Sequence, residues 1–283
     1  WESLPMQEYF ALVTTHKNYA KLMASRGCPF ACTFCGVHET MGKKLRKRSP
    51  EHFVGEVKLL YEKYGVRDFG FGDSTFNIDN KWVVRVCEEL LKLDYPIKWR
   101  CNVYARLVDR EVFVLMKKAG LQHVTMGIES GDERMLKSIK KGETLDHYRN
   151  AVAILNDLRI PLLTSWIIGL PGETKESINN SFQFAKEINA QVGFNIANPY
   201  PGTDFYSDAL RDGWSVKDWS KLNVAEVTYV PSGMTKVEIQ EAYRRVIKEF
   251  YLHPRHIMRY VRHLRTFLSF RLHLRAAIRL VIK

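Results

Sequence analysis

From about Tyr19 to Pro201 the sequence alternates short runs rich in β-branched and aromatic residues with longer stretches whose apolar residues recur at helical spacing. That alternation leaves few folds open, because parallel strands need crossover helices between them. Strands are expected at Lys21 to Ser25, Asp68 to Gly72, Ile97 to Asn102, Val124 to Gly127, Leu162 to Ile168 and Gln191 to Ala197. Helices are expected at Pro50 to Tyr64, with Ser49 as cap and proline at the first position, and at Asn80 to Lys92. Further helices fall at Asp109 to Ala119, stopped by Gly120, Leu145 to Leu158, and Lys175 to Ile188. In the first of these helices Glu56, Leu59, Leu60 and Lys63 illustrate the separation of apolar and charged faces. Six βα units fall short of the eight that close a barrel, so the expected class is α/β, a partial (β/α)6 TIM-like barrel with a helical C-terminal extension. The expected division is a lead-in or linker over 1–18, the barrel over 19–210, and an extension over 211–283. A chain of 283 residues, 46% of them hydrophobic, can build such a core. No run is long and apolar enough to cross a bilayer.

Three cysteines, Cys28, Cys32 and Cys35, crowd into the stretch Ser25-Arg26-Gly27-Cys28-Pro29-Phe30-Ala31-Cys32-Thr33-Phe34-Cys35-Gly36. A structural zinc site closes its tetrahedron with four protein ligands. A [4Fe-4S] cluster held by three thiolates instead keeps one iron free for another ligand, and an open iron points to catalysis. His38, three residues past Cys35, would complete a Cys3His zinc set, so a non-catalytic zinc-binding adaptor is the competing reading. Zinc ligand pairs are usually set further apart. The odd total of five cysteines, with no leader segment and no dense framework of pairs, argues against disulfides and for a reducing, cytoplasmic setting. The first residue is Trp1 rather than Met, which leads us to expect sequence upstream.

In parallel βα folds, ligands bind at the carboxyl ends of the strands and in the loops that follow. The cysteines follow the first expected strand. After the second comes Gly72-Asp73-Ser74, after the fourth Glu129-Ser130, after the fifth Gly169-Leu170-Pro171-Gly172-Glu173-Thr174, and after the sixth Asn198 to Thr203. Each has a plainer structural explanation. Asp73 could cap a turn, Glu129 could cap a helix starting at Glu133, and Thr174 could be an N-cap. Arg106 either counters a carboxylate or phosphate or is solvated. Cys87, among Val84, Val86, Leu90 and Leu91, reads as an inert buried thiol. Cys101 and Tyr104 are candidate hydrogen-atom donors if they face inward, and core residues otherwise.

These residues resemble the radical S-adenosylmethionine enzymes, whose hallmark is CxxxCxxC with an aromatic before the last cysteine, here Phe34. The resemblance implies that S-adenosylmethionine chelates the open iron, that Phe34 packs near its adenine, and that one electron from the cluster releases a 5'-deoxyadenosyl radical. It further implies an electron donor such as a flavodoxin or ferredoxin. Gly72 and Asp73 occupy the place of the family's Gly-Gly-Glu motif, which is absent as such, and Asp73 would partner the amino group. The string Gly127-Ile128-Glu129-Ser130-Gly131 is similar to one in the branch containing cobalamin-dependent and coproporphyrinogen-oxidase-like members, where the acid lies near S-adenosylmethionine. Arg106 looks like an arginine recurrent in that branch. Backbone at Ile168 and Gly169 would contact adenine. With Pro199-Tyr200-Pro201-Gly202-Thr203, the resemblance over about residues 19 to 210 is to the cobalamin-dependent class. That class includes methylases of unactivated carbon or phosphorus and the anaerobic cyclase of magnesium-porphyrin synthesis. Cobalamin would be bound through an upstream domain absent from this chain.

The formal charge is +12, and residues 250–283 contain eight Arg and Lys with no Asp or Glu, leaving 12 − 8 = +4 on the rest. Beyond Pro201 come Asp204 to Arg211 and a Trp-bearing stretch through Trp214 and Trp219, then helical signals from Lys236 to Tyr251 and again after Pro254, with a strand expected at Glu226 to Val230. In 254–283, Arg255, Arg259, Arg262, Arg265, Arg271, Arg275, Arg279 and Lys283 alternate with apolar residues in a basic amphipathic pattern. Three readings remain open: contact with an anionic membrane at the inner face, binding of a nucleic-acid backbone, or packing on the barrel with solvated arginines. The membrane reading suggests a small, lipid-like substrate. The nucleic-acid reading leads to an RNA-modifying methylthiotransferase, but those relatives carry a β-rich RNA-binding domain, and this tail lacks a strand-and-aromatic pattern suited to stacking bases.

Overall fold

The structure is a computed structural model and describes residues 1–4, 18–188, 190–216 and 218–251. Strand β1 (Tyr19–Leu22) leads into the two-residue β2 (Ser25–Arg26), helix α1 (Val37–Met41) and β3 (Arg46–Lys47). There follow α2 (Pro50–Tyr64), β4 (Asp68–Phe71), α3 (Asn80–Leu91), β5 (Lys98–Val103), α4 (Arg110–Lys118) and β6 (Leu121–Glu129). The remainder comprises α5 (Glu133–Ser138), α6 (Leu145–Asp157), β7 (Leu162–Ile168), α7 (Lys175–Glu187), β8 (Gln191–Ile196), α8 (Asp204–Arg211) and α9 (Lys236–Val246). Six strands form one sheet in the order β1-β4-β5-β6-β7-β8, each neighbouring pair parallel. Strands thus follow chain order and the two edge strands do not pair, which is the open, partial barrel of an α/β fold. Among the described residues no helix is long and apolar enough to cross a membrane.

The helices start where local chemistry dictates. The Ser49 hydroxyl accepts from His52 N at 3.2 Å ahead of Pro50, and Gly65 ends α2 in the left-handed region at φ 65°. Helix α2 buries Phe53, Val54, Val57 and Leu60, while Leu59, read from sequence as part of its apolar face, is exposed. Beneath the helices Phe71 stacks on Trp99 with centroids 4.6 Å apart, and Trp166 stacks on Phe194 at 5.5 Å. Such pairs add to their area burial. The fully buried Ile239 anchors α9 near Gly169, so the extension covers the β7 and β8 side of the rim.

Two expectations need correction. Ser25 is not part of the first strand: the chain leaves the sheet after Leu22, and Ser25 and Arg26 pair antiparallel with Lys47 and Arg46. Glu226 to Val230 is not a strand. Val227 and Tyr229 are buried, as the alternation suggested, but the Thr228 carbonyl accepts from Trp214 Nε1 at 2.8 Å and its hydroxyl donates to Asn198. Side chains rather than a neighbouring strand hold that segment. The basic pattern over 254–283 lies outside the described residues.

Candidate functional site

The cysteine loop is tied down from several sides. Cys28 N donates to Gly42 O at 3.1 Å, Thr33 N to Ile139 O at 3.0 Å, and Phe205 N to Thr33 O at 2.9 Å. Gly27 sits at φ 93°, and a Cβ there would lie 2.1 Å from the Lys44 carbonyl oxygen, so only glycine fits. Asp73, fully buried, turns both carboxylate oxygens toward the entry of the loop: Oδ1 accepts from Ser25 N and, at 2.6 Å, from Ser25 Oγ, and Oδ2 accepts from Ala24 N at 3.3 Å. Burial raises its pKa, against those donors. Asp73 therefore pulls Ala24 and Ser25 out of the sheet direction, which explains the early end of β1.

Cys28, Cys32 and Cys35 are free thiols, each half-buried. Burial pushes Cys32 up to about 12, partly opposed by Lys141, and raises Cys35, opposed by the Val37 N–H directed at its sulfur. Such thiols stay protonated unless a metal's charge stabilises the thiolate. This donor set fits a [4Fe-4S] cluster, which takes its cysteines on separate irons. His38, which a Cys3His zinc site would need as its fourth ligand, instead has its Nε2 3.0 Å from the Cys28 carbonyl oxygen. A cavity of about 220 Å³ opens beside the loop, lined by Cys32, Cys35, His38, Glu39, Lys140 and Thr203 among others.

Behind the cysteines lies a buried charge network. A register shift in β6 between Gly127 and Glu129 and a positive φ of 69° at Glu129 re-aim its side chain at the strand end. Glu129 Oε1 lies 3.4 Å from Lys141 Nζ, and Glu143 Oε2 lies 3.7 Å from the same nitrogen. All three residues are buried. Burial raises Glu129 and Glu143, opposed in both by Lys141. Burial also pulls the Lys141 ammonium down, but Glu129, Cys32 and Glu143 outweigh it and hold the pKa above the ordinary value. Glu143 also accepts from Arg106 N at 3.0 Å and Tyr148 OH at 3.1 Å. Glu129 caps no helix, because Asp132 is the N-cap of α5.

Most of the other residues singled out from sequence lie in the loops at this rim, while Cys87 and Cys101 do not. Phe34 is half-buried and packs against the core. Gly72 donates its N–H to Leu22 O at 2.6 Å, and the Lys21 stem lies over it. Ser130 is turned toward α7, its Oγ 3.2 Å from Ser181 Oγ, and accepts from Asp132 N at 3.2 Å. Ile168 O accepts from Ala197 N at 2.8 Å, and Gly169 N donates to Glu173. Thr174 is the N-cap of α7, in a capping box with Ser177. Tyr104 stacks on Phe30 with centroids 3.8 Å apart, and its hydroxyl donates to the Lys141 carbonyl, so the phenolic hydrogen is engaged. Cys101 is 4% exposed and packs in the core, as does Cys87. Arg106 is exposed, its guanidinium 6.0 Å from the Tyr104 ring centroid. Sequence reasoning did not find Lys141 or Glu143, and read Glu173 only as part of the turn after the fifth expected strand. The first two stand in Lys140-Lys141-Gly142-Glu143, a charged turn that looks solvated on paper.

Comparison with known proteins places these features in context. The sequence model of the Radical SAM superfamily matches residues 22–185. An uncharacterized methyltransferase of Pyrococcus horikoshii is 30% identical over 257 residues, covering 90% of this chain and 55% of that protein. An anaerobic magnesium-protoporphyrin IX monomethyl ester cyclase of Rubrivivax gelatinosus is 28% identical over 255 residues, covering 89% of this chain and 45% of the cyclase. This chain therefore spans about half the length of these relatives. Among solved structures, the radical S-adenosylmethionine methyltransferase TsrM from Kitasatospora setae, with cobalamin and a [4Fe-4S] cluster bound, superposes with a TM-score of 0.63 at 18% identity. That match covers 79% of this chain and 46% of TsrM, and it shows a shared fold.

Proposed function

The chain belongs to the Radical SAM superfamily, whose members use a [4Fe-4S] cluster and S-adenosylmethionine, and from that premise we propose that it is the catalytic core of a methyltransferase or cyclase of the cobalamin-dependent class. Cys28, Cys32 and Cys35 would hold the cluster, which would supply one electron for cleavage of S-adenosylmethionine into methionine and a 5'-deoxyadenosyl radical able to abstract a substrate hydrogen. The observation that carries this reading is the trio of free thiols on the loop between β2 and α1, set beside the buried Glu129, Lys141 and Glu143.

Phe34, Gly72, Glu129 and the backbone at Ile168 and Gly169 line the S-adenosylmethionine site. Asp73 and Ser130 hold the loops behind it. The barrel excludes water and fixes the reacting groups, and the reactive chemistry is the cofactor's. Methyl transfer or cyclisation is supported by the names of the methyltransferase and cyclase relatives. No described residue is assigned to cobalamin. An electron-donor protein, a small lipid-like substrate and peripheral membrane contact complete the reading. The last two rest on the basic sequence pattern of 254–283, and removal of those residues should abolish sedimentation with anionic liposomes.

The test is anaerobic reconstitution with iron and sulfide, followed by reduction with dithionite in the presence of S-adenosylmethionine. The expected products are 5'-deoxyadenosine and methionine, lost in a Cys32→Ser variant. A colourless protein that retains one zinc and leaves S-adenosylmethionine intact overturns the proposal in favour of an adaptor.

A further inference from the structure

A strongly basic surface is built directly onto the cysteine loop. Residues 43–48 read Lys-Lys-Leu-Arg-Lys-Arg, five cations in six positions. Strands β2 and β3 bring this run beside Arg26. The attachment is through backbone: Cys28 N donates to Gly42 O, and Gly27 packs against the Lys44 carbonyl. Arg26, Lys43, Lys44 and Arg46 are exposed. Lys47 is paired with Asp79 and Arg48 with Glu56, whereas Arg26, Lys43 and Lys44 have no acidic partner among the described residues. Lys43 also lines the 220 Å³ cavity with Cys32 and Cys35. Of the acids on that cavity, Asp204 is offset by Lys140 at 3.3 Å, leaving Glu39 on its lip.

We infer that the β2–β3 hairpin is the docking surface for a small acidic electron-carrier protein, seated so that its redox centre faces the cavity lined by Cys32 and Cys35. The inference rests on the proposed function, because a cluster at the three cysteines must receive its electron from outside. One electron leaves the reduced carrier, which is oxidised by one equivalent, and enters the cluster, with no bond made or broken. Charge complementarity of this kind steers encounter and raises the association rate. Nucleic acids and anionic membranes would meet the same positive charge, but neither accounts for Lys43 of this patch lining the cavity that Cys32 and Cys35 also line.

The test compares the reconstituted full chain with an Arg26→Glu/Lys44→Glu variant and with Lys118→Glu/Lys236→Glu, which changes net charge equally at two other exposed sites. Binding of a reduced flavodoxin is measured by stopped flow and titration over a range of salt. The expected result is an association rate about tenfold lower and a shallower salt dependence for the hairpin variant alone, with dithionite-driven cleavage unchanged. Equal flavodoxin binding by all three proteins overturns the inference, as does an equal loss in both variants. So does a hairpin variant that loses affinity for RNA or anionic vesicles and keeps it for flavodoxin. Failure of dithionite itself to drive cleavage in the unaltered chain counts against the proposed function instead, while the binding measurement still decides the docking surface.

Discussion

The Lys141 ammonium lies 3.4 Å from the Glu129 carboxylate, with both side chains buried at the end of β6. The pair joins the strand end to the segment that holds the cysteine loop, because Ile139, two residues before Lys141, accepts from Thr33 N. Glu143 on the other flank makes Lys141 the shared cation of two carboxylates.

Removing that cation leaves two acids in low dielectric. Lys141→Met should destabilise the fold by about 3–5 kcal/mol, and adding Glu129→Gln should recover part of the loss. Urea denaturation of the single and double variants checks this. A single variant as stable as the parent would show that the network carries no such load.

Asp73 is expected to act on the loop rather than on the sheet. Asp73→Asn replaces one accepting oxygen by a donor opposite the N–H groups of Ala24 and Ser25, so a loss of about 1–3 kcal/mol is expected. Iron should also be released faster to a chelator. Unchanged iron retention would contradict a positioning role.

Gly27→Ala tests the tightest backbone contact of the site. The new methyl would meet the Lys44 carbonyl at 2.1 Å in a left-handed conformation, and we expect a cost of at least about 2 kcal/mol and a poorly reconstituted cluster. Iron content per chain after reconstitution measures it directly.

The fold was legible because periodicity and capping signals are local. The Ser49-Pro50 start of α2 and the full span of β7 are as the residues indicate. What escaped depends on contacts between distant segments. Asp73 bends the chain at Ala24 across 49 positions, so the end of β1 could not be read from its own residues. The cysteine spacing announced an open metal site, whereas Lys141 and Glu143 acquire their meaning only when the turn after α5 folds under β6. Ser130 was visible as a rim residue, but not its commitment to Ser181.

The pH dependence of stability should carry the signature of Glu173. Burial raises this carboxyl to about 8, against the N–H groups of Gly169 and Leu170, and its Oε1 has no hydrogen-bond partner among the described residues. In the unfolded chain a Glu titrates near about 4.3. Between those values the folded protein keeps a proton that the unfolded chain has lost. Its contribution is therefore complete below about 4.3 and lost as pH rises through about 8, by up to about 1.4 kcal/mol per pH unit. Glu173→Gln should flatten the fall of Tm between pH 5 and 8. A Tm difference independent of pH would contradict the assignment.

In the proposed site Cys28, Cys32 and Cys35 leave one iron open, and electron paramagnetic resonance of the reconstituted, reduced full chain reports on that iron. About four irons per chain are expected, with a reduced-cluster signal whose g-values shift when S-adenosylmethionine is added. A signal that S-adenosylmethionine leaves unmoved, or a protein that binds zinc and gives no signal, would contradict the open iron.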